Sequence, residues 1–117
     1  MFKTIEDMSQ AIAKAASDKK ARDIVILSMK ELTAATDYFI VCSANTGLQV
    51  RAIADNIEDE MRAQGMEFLH KEGYRSGEWV LLDYGSIVVH VFYQETRKFY
   101  GLESLWGDAP RKTYHSS

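Results

Sequence analysis

Three histidines and one cysteine are the residues of this sequence whose types most often bind metals or perform nucleophilic chemistry. The histidines are His70, His90 and His115, and none is spaced near another or near Cys42 as the ligands of a zinc site would be. The sequence therefore predicts no metal centre. Because His90 falls within a predicted strand, its position favours a hydrogen-bonded structural histidine over a catalytic one.

Cys42 and Ser43, at the end of one apolar run, are candidate nucleophiles. Either would need a general base within hydrogen-bonding reach, and no sequence pattern identifies one. A cysteine in a Phe-Ile-Val-Cys strand is more often part of the core. The segment 43–47 joins this run to a predicted helix, where backbone amides could hold an anion. Helix capping by Asn45 or Thr46 explains the same residues equally well.

Phosphate chemistry and two-metal chemistry have their own sequence patterns, and this sequence lacks them. It contains no glycine-rich loop of the Walker or dinucleotide-binding type. Two-metal phosphoryl transfer uses paired carboxylates, whereas Asp23, Asp37 and Asp83 each stand alone at strand starts or ends. We therefore predict a protein that is not an enzyme and binds no cofactor.

The composition limits the class of protein further. A chain of 117 residues suits one domain with a single core. Its 14 Lys and Arg against 17 Asp and Glu give a net charge of −3, which argues against holding DNA or RNA mainly by phosphate neutralisation and favours a protein or small-molecule partner. The single cysteine, the absence of a signal peptide and the lack of a membrane-spanning apolar run predict a soluble, cytoplasmic protein.

Apolar periodicity predicts the elements that position these residues. The predicted helices cover residues 4–20, a stripe from Val50 to Met61 that Gly65 stops, and 94–101 with a continuation to 106; the predicted strands cover 23–29, 38–43, 67–72, 78–83 and 86–93. Short connections make the last three strands an antiparallel meander. We predict one α/β domain over residues 1–109, with packed helices on a mixed sheet of about five strands, and a polar tail over 110–117.

The last two predicted strands are apolar on both faces. On the first of these strands, Trp79, Leu81 and Asp83 share one face, and the other face has Val80, Leu82 and Tyr84. On the second strand, Val88, His90 and Phe92 share one face, and the other face has Ile87, Val89, Val91 and Tyr93. An uncovered apolar face is typical of a protein interface. The alternative is that the last helix closes this face with Phe99, Tyr100, Leu102, Leu105 and Trp106.

Five blocks stand in order along the chain, at residues 36–43, 49–55, 77–85, 88–92 and 102–106. They read TDYFIVCS, QVRAIAD, GEWVLLDYG, VVHVF and LESLW. Together they resemble the ribosomal silencing factor family, also called RsfS or Iojap, over residues 4–109.

This resemblance implies a small α/β domain of nucleotidyltransferase-like topology that forms homodimers. It also implies binding to the large ribosomal subunit through its protein number fourteen, which sterically prevents the small subunit from joining when nutrients are scarce. The fold kinship raises an alternative, a degenerate nucleotidyltransferase that binds nucleotides. This sequence lacks the Gly-Ser turn and the acidic pair of those enzymes.

The resemblance and the surplus apolar face indicate the same contact residues. The implied partner-binding set is Trp79, Leu81, Leu82, Asp83, Tyr84, His90 and Phe92, with Arg97, Tyr100 and Trp106 in second rank. Large aromatic side chains are favoured anchors of interfaces, and Asp83 could pair with a cation on a basic ribosomal protein. Because neighbouring strand residues face opposite ways, Leu81 and Leu82 cannot both contact one partner on a flat strand.

Overall fold

The computed structural model describes residues 2–101, 107 and 109–115, without the side chains of residues 99 and 100. The elements in this part of the chain are α1 (Ile5–Asp18), β1 (Arg22–Ser28), β2 (Tyr38–Ala44), α2 (Gly47–Ala63), β3 (His70–Glu72), β4 (Trp79–Asp83), β5 (Ile87–Tyr93), α3 (Gln94–Tyr100) and β6 (Arg111–Thr113). The three predicted helices and five predicted strands are confirmed. The predicted continuation of the last helix over 102–106 lies outside the described residues.

Both long helices have a threonine as the N-cap residue, directly before their first helical residue. The hydroxyl oxygen of Thr4 accepts a hydrogen bond from the backbone N–H of Asp7, and that of Thr46 accepts one from Gln49, each at 3.0 Å. Each bond satisfies an N–H group that the start of a helix leaves without an intrahelical partner. Capping by Thr46 is therefore the role that the structure gives to the end of segment 43–47.

The strands form one mixed sheet in the order β3-β4-β5-β2-β1-β6. β2 and β5 run parallel, joined by the crossover that contains α2, and the other neighbouring strands are antiparallel. The predicted meander of β3, β4 and β5 is confirmed. β3 is shorter than predicted and starts at His70, because its partner β4 ends at Asp83 and the ladder begins with that pair.

A sixth strand, which the sequence did not predict, lies within the predicted polar tail over 110–117. Arg111–Thr113 pair with β1, and the flanking bonds from Ser28 N–H to the Pro110 carbonyl and from Tyr114 N–H to the Ile24 carbonyl continue the pairing. The three residues of β6 are exposed and carry no apolar alternation. Their strand conformation comes from backbone pairing, which covers the N–H and C=O groups that β1 would otherwise leave exposed at the sheet edge.

The sheet has one face covered by α1 and α2 and an opposite one, which we call the second face. On the covered face, Ile12 of α1 and Ile53 of α2 join Ile40 and Val89 of the sheet in the main core. Part of the second face is buried in a smaller cluster, formed by Val25, Leu27, Met29, Val41, Phe92 and Ala109. On β4, by contrast, the side chains of the second face are half-buried. The second face is therefore closed over part of its area and accessible at β4.

Candidate protein-docking surface

The accessible part of the second face contains three residues of the predicted contact set. Trp79, Leu81 and Asp83 alternate along β4, and each is half-buried. Across the ladder, Trp79 is paired with Phe92 and Leu81 with His90. The structure thus brings five of the ten predicted contact residues together on one face.

Leu82 and Tyr84 point to the opposite face, as the alternation along β4 requires. Both are buried in the core beneath α1 and α2. The structure therefore does not support their prediction as direct contacts, because Leu82 has no exposed surface and Tyr84 is only 6% exposed. Burial also raises the pKa of the Tyr84 hydroxyl far above its ordinary value, so this side chain remains neutral.

Arg97 is a structural residue rather than an exposed contact, which corrects another prediction. Its guanidinium is buried and donates to the carbonyl oxygen of Asp23 at 2.9 Å and to the hydroxyl of Ser43 at 3.1 Å. These bonds tie α3 to the first two strands. Tyr100 ends α3, but its side chain and all of Trp106 lie outside the described part of the chain, so their roles stay predictions.

An aromatic cluster supports the exposed part of Trp79. The indole Nε1–H of Trp79 donates to Nδ1 of His90 at 3.1 Å, and its ring stacks on Phe92 with centroids 4.8 Å apart. The ring of Phe39 meets His90 edge-on at 4.7 Å. His90 and Phe92 are 4% and 0% exposed, so they support Trp79 from beneath and offer a partner little or no surface of their own, unlike the direct contacts predicted. The prediction of a hydrogen-bonded structural histidine is confirmed.

The protonation state of His90 follows from this geometry. Burial lowers its pKa from 6.5 to about 4, so the imidazole is neutral near pH 7. An indole N–H can only donate, which means that the Nδ1 atom facing it carries no proton. The neutral ring must therefore carry its proton on Nε2.

We expect His90 to make the protein less stable in acid. The unfolded histidine binds a proton near pH 6.5 and the folded one near pH 4, so the unfolded state holds more protons between these values. Above pH 6.5 the protonation of His90 does not affect the free energy of unfolding. As the pH falls from 6.5 to about 4, that free energy decreases by on the order of 3 kcal/mol, because the unfolded state gains a proton that the folded state does not. Urea unfolding of the wild type and His90→Leu across this range measures it as a pH-dependent difference between the two proteins. A difference that does not change with pH would contradict the prediction.

A groove of about 620 Å³ lies on the second face beside β4. Phe39, Leu81 and Val88 contribute apolar walls, and Leu32 stands at its side with 49% of its surface exposed. The groove is lined by Met29, Leu32, Thr33, Ala35, Thr36, Phe39, His70, Glu72, Leu81, Asp83, Val88 and His90. Two of these residues are acidic and none is Lys or Arg. The groove thus combines apolar contact area with negative charge.

Sequence reasoning missed several of the groove residues. Phe39 and Val88 lie within the resemblance blocks at 36–43 and 88–92, so the blocks contain a signal for them. Leu32 lies in the connection between β1 and β2, in a stretch without apolar period and outside every block. Its place beside β4 arises from the folded path of the chain, and no local pattern points to it.

Comparison with known proteins identifies the family of this chain. The family model described as "ribosomal silencing factor during starvation" matches residues 3–117. The chain belongs to the ribosomal silencing factor family. Its relatives include the ribosomal silencing factor of Bacillus subtilis, 45% identical over 98 residues, with 84% of this chain and 83% of that protein covered. That of Halalkalibacterium halodurans is 43% identical over 105 residues and covers 90% of each chain.

A solved structure supports the fold of this ribosomal silencing factor family member. The crystal structure of a protein from Chromobacterium violaceum matches with a TM-score of 0.86 at 36% identity, covering 89% of this chain and 87% of that one. The α/β fold expected from the resemblance is confirmed.

Cys42 has a structural role in this silencing factor family member. Cys42 is fully buried, and burial raises the pKa of its thiol to about 12, so the thiolate needed for nucleophilic chemistry does not form near pH 7. Cys42 therefore serves the packing of β2.

Among the described residues, no three His, Cys, Asp or Glu side chains are grouped to hold a metal ion. Within the same residues, no helix has the length and apolar character to cross a membrane.

Proposed function

We propose that this protein acts in the cytoplasm by binding the large ribosomal subunit through ribosomal protein number fourteen. The bound protein blocks association with the small subunit and thereby represses translation when nutrients are limiting. Family membership supports the ribosomal role. The observation that carries the docking proposal is the half-buried Trp79, held on an aromatic cluster beside a groove with acidic residues.

The charge of the groove indicates the kind of partner that fits it. Glu72 and Asp83 line it without any Lys or Arg, and the whole chain carries a net charge of −3. A phosphate backbone would be repelled here, whereas a basic protein surface would gain electrostatic complementarity. Docking on a ribosomal protein is therefore favoured over direct contact with ribosomal RNA at this surface.

The proposed inhibition needs bulk rather than catalysis. The described chain extends about 34 × 33 × 30 Å. A body of this size on the surface that meets the small subunit occupies volume that the small subunit must enter. The repression would therefore depend on occupancy, and no turnover step is required.

The test is cosedimentation with separated large and small ribosomal subunits, followed by a subunit-joining assay. We expect binding to large subunits and a concentration-dependent loss of joined ribosomes. Sedimentation equilibrium of the free protein tests the associated proposal of a homodimer. Binding to neither subunit, or joining that proceeds normally at saturating protein, would contradict the proposed function.

Leu32 provides a matched test of the groove. Leu32→Ala removes an apolar side chain beside the groove, and we expect about fivefold weaker binding to large subunits, since docking would bury the remaining half of its surface. Leu48→Ala is the control, because Leu48 is 73% exposed but lies in the first turn of α2. Equal losses from the two variants would show that exposed leucines in general, and not the groove, determine binding.

A further inference from the structure

The hydrogen bond between Trp79 and His90 connects an accessible side chain to a buried one. Trp79 is half-buried on β4, whereas His90 on β5 is 4% exposed. The two residues are diagonal neighbours in the ladder, since Trp79 is opposite Phe92 and Leu81 is opposite His90. The donor–acceptor distance of 3.1 Å is that of an ordinary N–H···N hydrogen bond.

We infer that His90 is a positioning residue, whose Nδ1 holds the indole of Trp79 in the orientation that docks to the partner. This inference rests on the proposed function. A tryptophan at a protein surface can adopt several rotamers, and binding must then select one of them. An indole that is already held avoids this cost, so preorganisation of Trp79 strengthens binding without adding a contact.

The surroundings of His90 make its acceptor atom rigid. Phe39 packs edge-on against the imidazole at 4.7 Å, and Phe92 lies nearly parallel to it at 6.3 Å. Stacking on Phe92 alone would let the indole slide or turn within its plane, because ring stacking has a broad energy minimum. The directional bond to Nδ1 supplies the missing restraint.

The position of Nδ1 on the side chain suggests a rescue variant. The Oδ1 atom of an asparagine stands one bond from Cγ, as Nδ1 of a histidine does, and it is also an acceptor. His90→Asn therefore keeps an acceptor near the indole, whereas His90→Leu keeps apolar volume and removes the acceptor. If His90 only fills space, His90→Leu should preserve the orientation of Trp79 better than His90→Asn does. If Nδ1 holds the indole, His90→Asn should preserve it better.

The first measurement is the indole N–H resonance of Trp79 in the free protein, assigned by its disappearance in Trp79→Phe. We expect His90→Leu to shift this signal and to speed its exchange with solvent at least tenfold, and His90→Asn to restore most of the protection. An unchanged indole signal in His90→Leu would overturn the inference. This measurement needs no ribosome, so it decides whether His90 holds Trp79 even if the proposed function fails.

The second measurement is binding to large ribosomal subunits. We expect His90→Leu to bind about five- to tenfold more weakly than the wild type and His90→Asn to stay within about twofold of it. In a Trp79→Phe background, which has no indole N–H, His90→Leu should cause no further loss. An equal loss in both backgrounds would show that His90 acts independently of Trp79 and would overturn the positioning role.

Discussion

Replacing Trp79 with alanine is expected to weaken binding to the large ribosomal subunit by about 2 kcal/mol or more, a loss of about thirtyfold. The substitution removes the half-buried indole together with its stack on Phe92 and its bond to His90. Tryptophan is among the residues whose truncation costs interfaces most, because it buries a large rigid surface at little entropic cost. Cosedimentation with purified large subunits over a range of protein concentrations measures the effect.

The control for Trp79→Ala is Trp79→Phe, which keeps an aromatic ring over Phe92 but loses the indole N–H. We expect a smaller loss of binding, since most of the stacking area remains. Circular dichroism and urea unfolding establish whether each variant is folded. A folded Trp79→Ala that cosediments like the wild type would place the docking surface elsewhere on the molecule.

Gly73→Ala is expected to destabilise the protein about 2 kcal/mol more than Gly65→Ala does. Both glycines have a positive φ, +78° and +80°, so alanine meets similar backbone strain at the two positions. They differ in space: a Cβ at Gly73 would lie 1.9 Å from the carbonyl oxygen of Trp79, whereas nothing lies within 4 Å at Gly65. The difference between the two variants thus isolates the steric clash.

Urea unfolding of both glycine variants measures this difference in free energy. Because the clash is with the backbone of Trp79, relief requires the turn before β4 to move, and we expect Gly73→Ala also to weaken binding to large subunits. Gly65→Ala should bind normally, since Gly65 lies just beyond the end of α2 and a Cβ added there would meet no atom within 4 Å. Equal destabilisation by the two substitutions would contradict the packing of this turn.

Local pattern was sufficient for most of the elements. The helical stripes predict α1 and α2, and the threonines at their starts act as caps in the structure. The apolar runs predict β1, β2, β4 and β5, because these strands have apolar side chains that a sheet can bury. β6 escaped prediction because its residues are polar and exposed, and its conformation depends on pairing with β1 more than 80 positions earlier in the chain.

In the candidate site, too, local pattern predicts some features and misses others. Alternation along β4 correctly separates Trp79, Leu81 and Asp83 from Leu82 and Tyr84. The family blocks do not distinguish these two sets, since both lie in the block at 77–85. Such a block contains core residues as well as surface residues. The corrections at Leu82 and Tyr84 therefore arise from reading a shared block as a single surface.

The sequence by itself determined which side chains share a face of each strand, because the pleat of a strand sets side-chain direction locally. It also determined the single domain, the acidic charge and the family blocks. Only the tertiary structure decided which members of the second face remain accessible. That outcome depends on segments far apart in sequence, which bury His90 and Phe92, leave Trp79 only half-buried and place Leu32 at the groove. Exposure is a property of the assembled fold, and no local period encodes it.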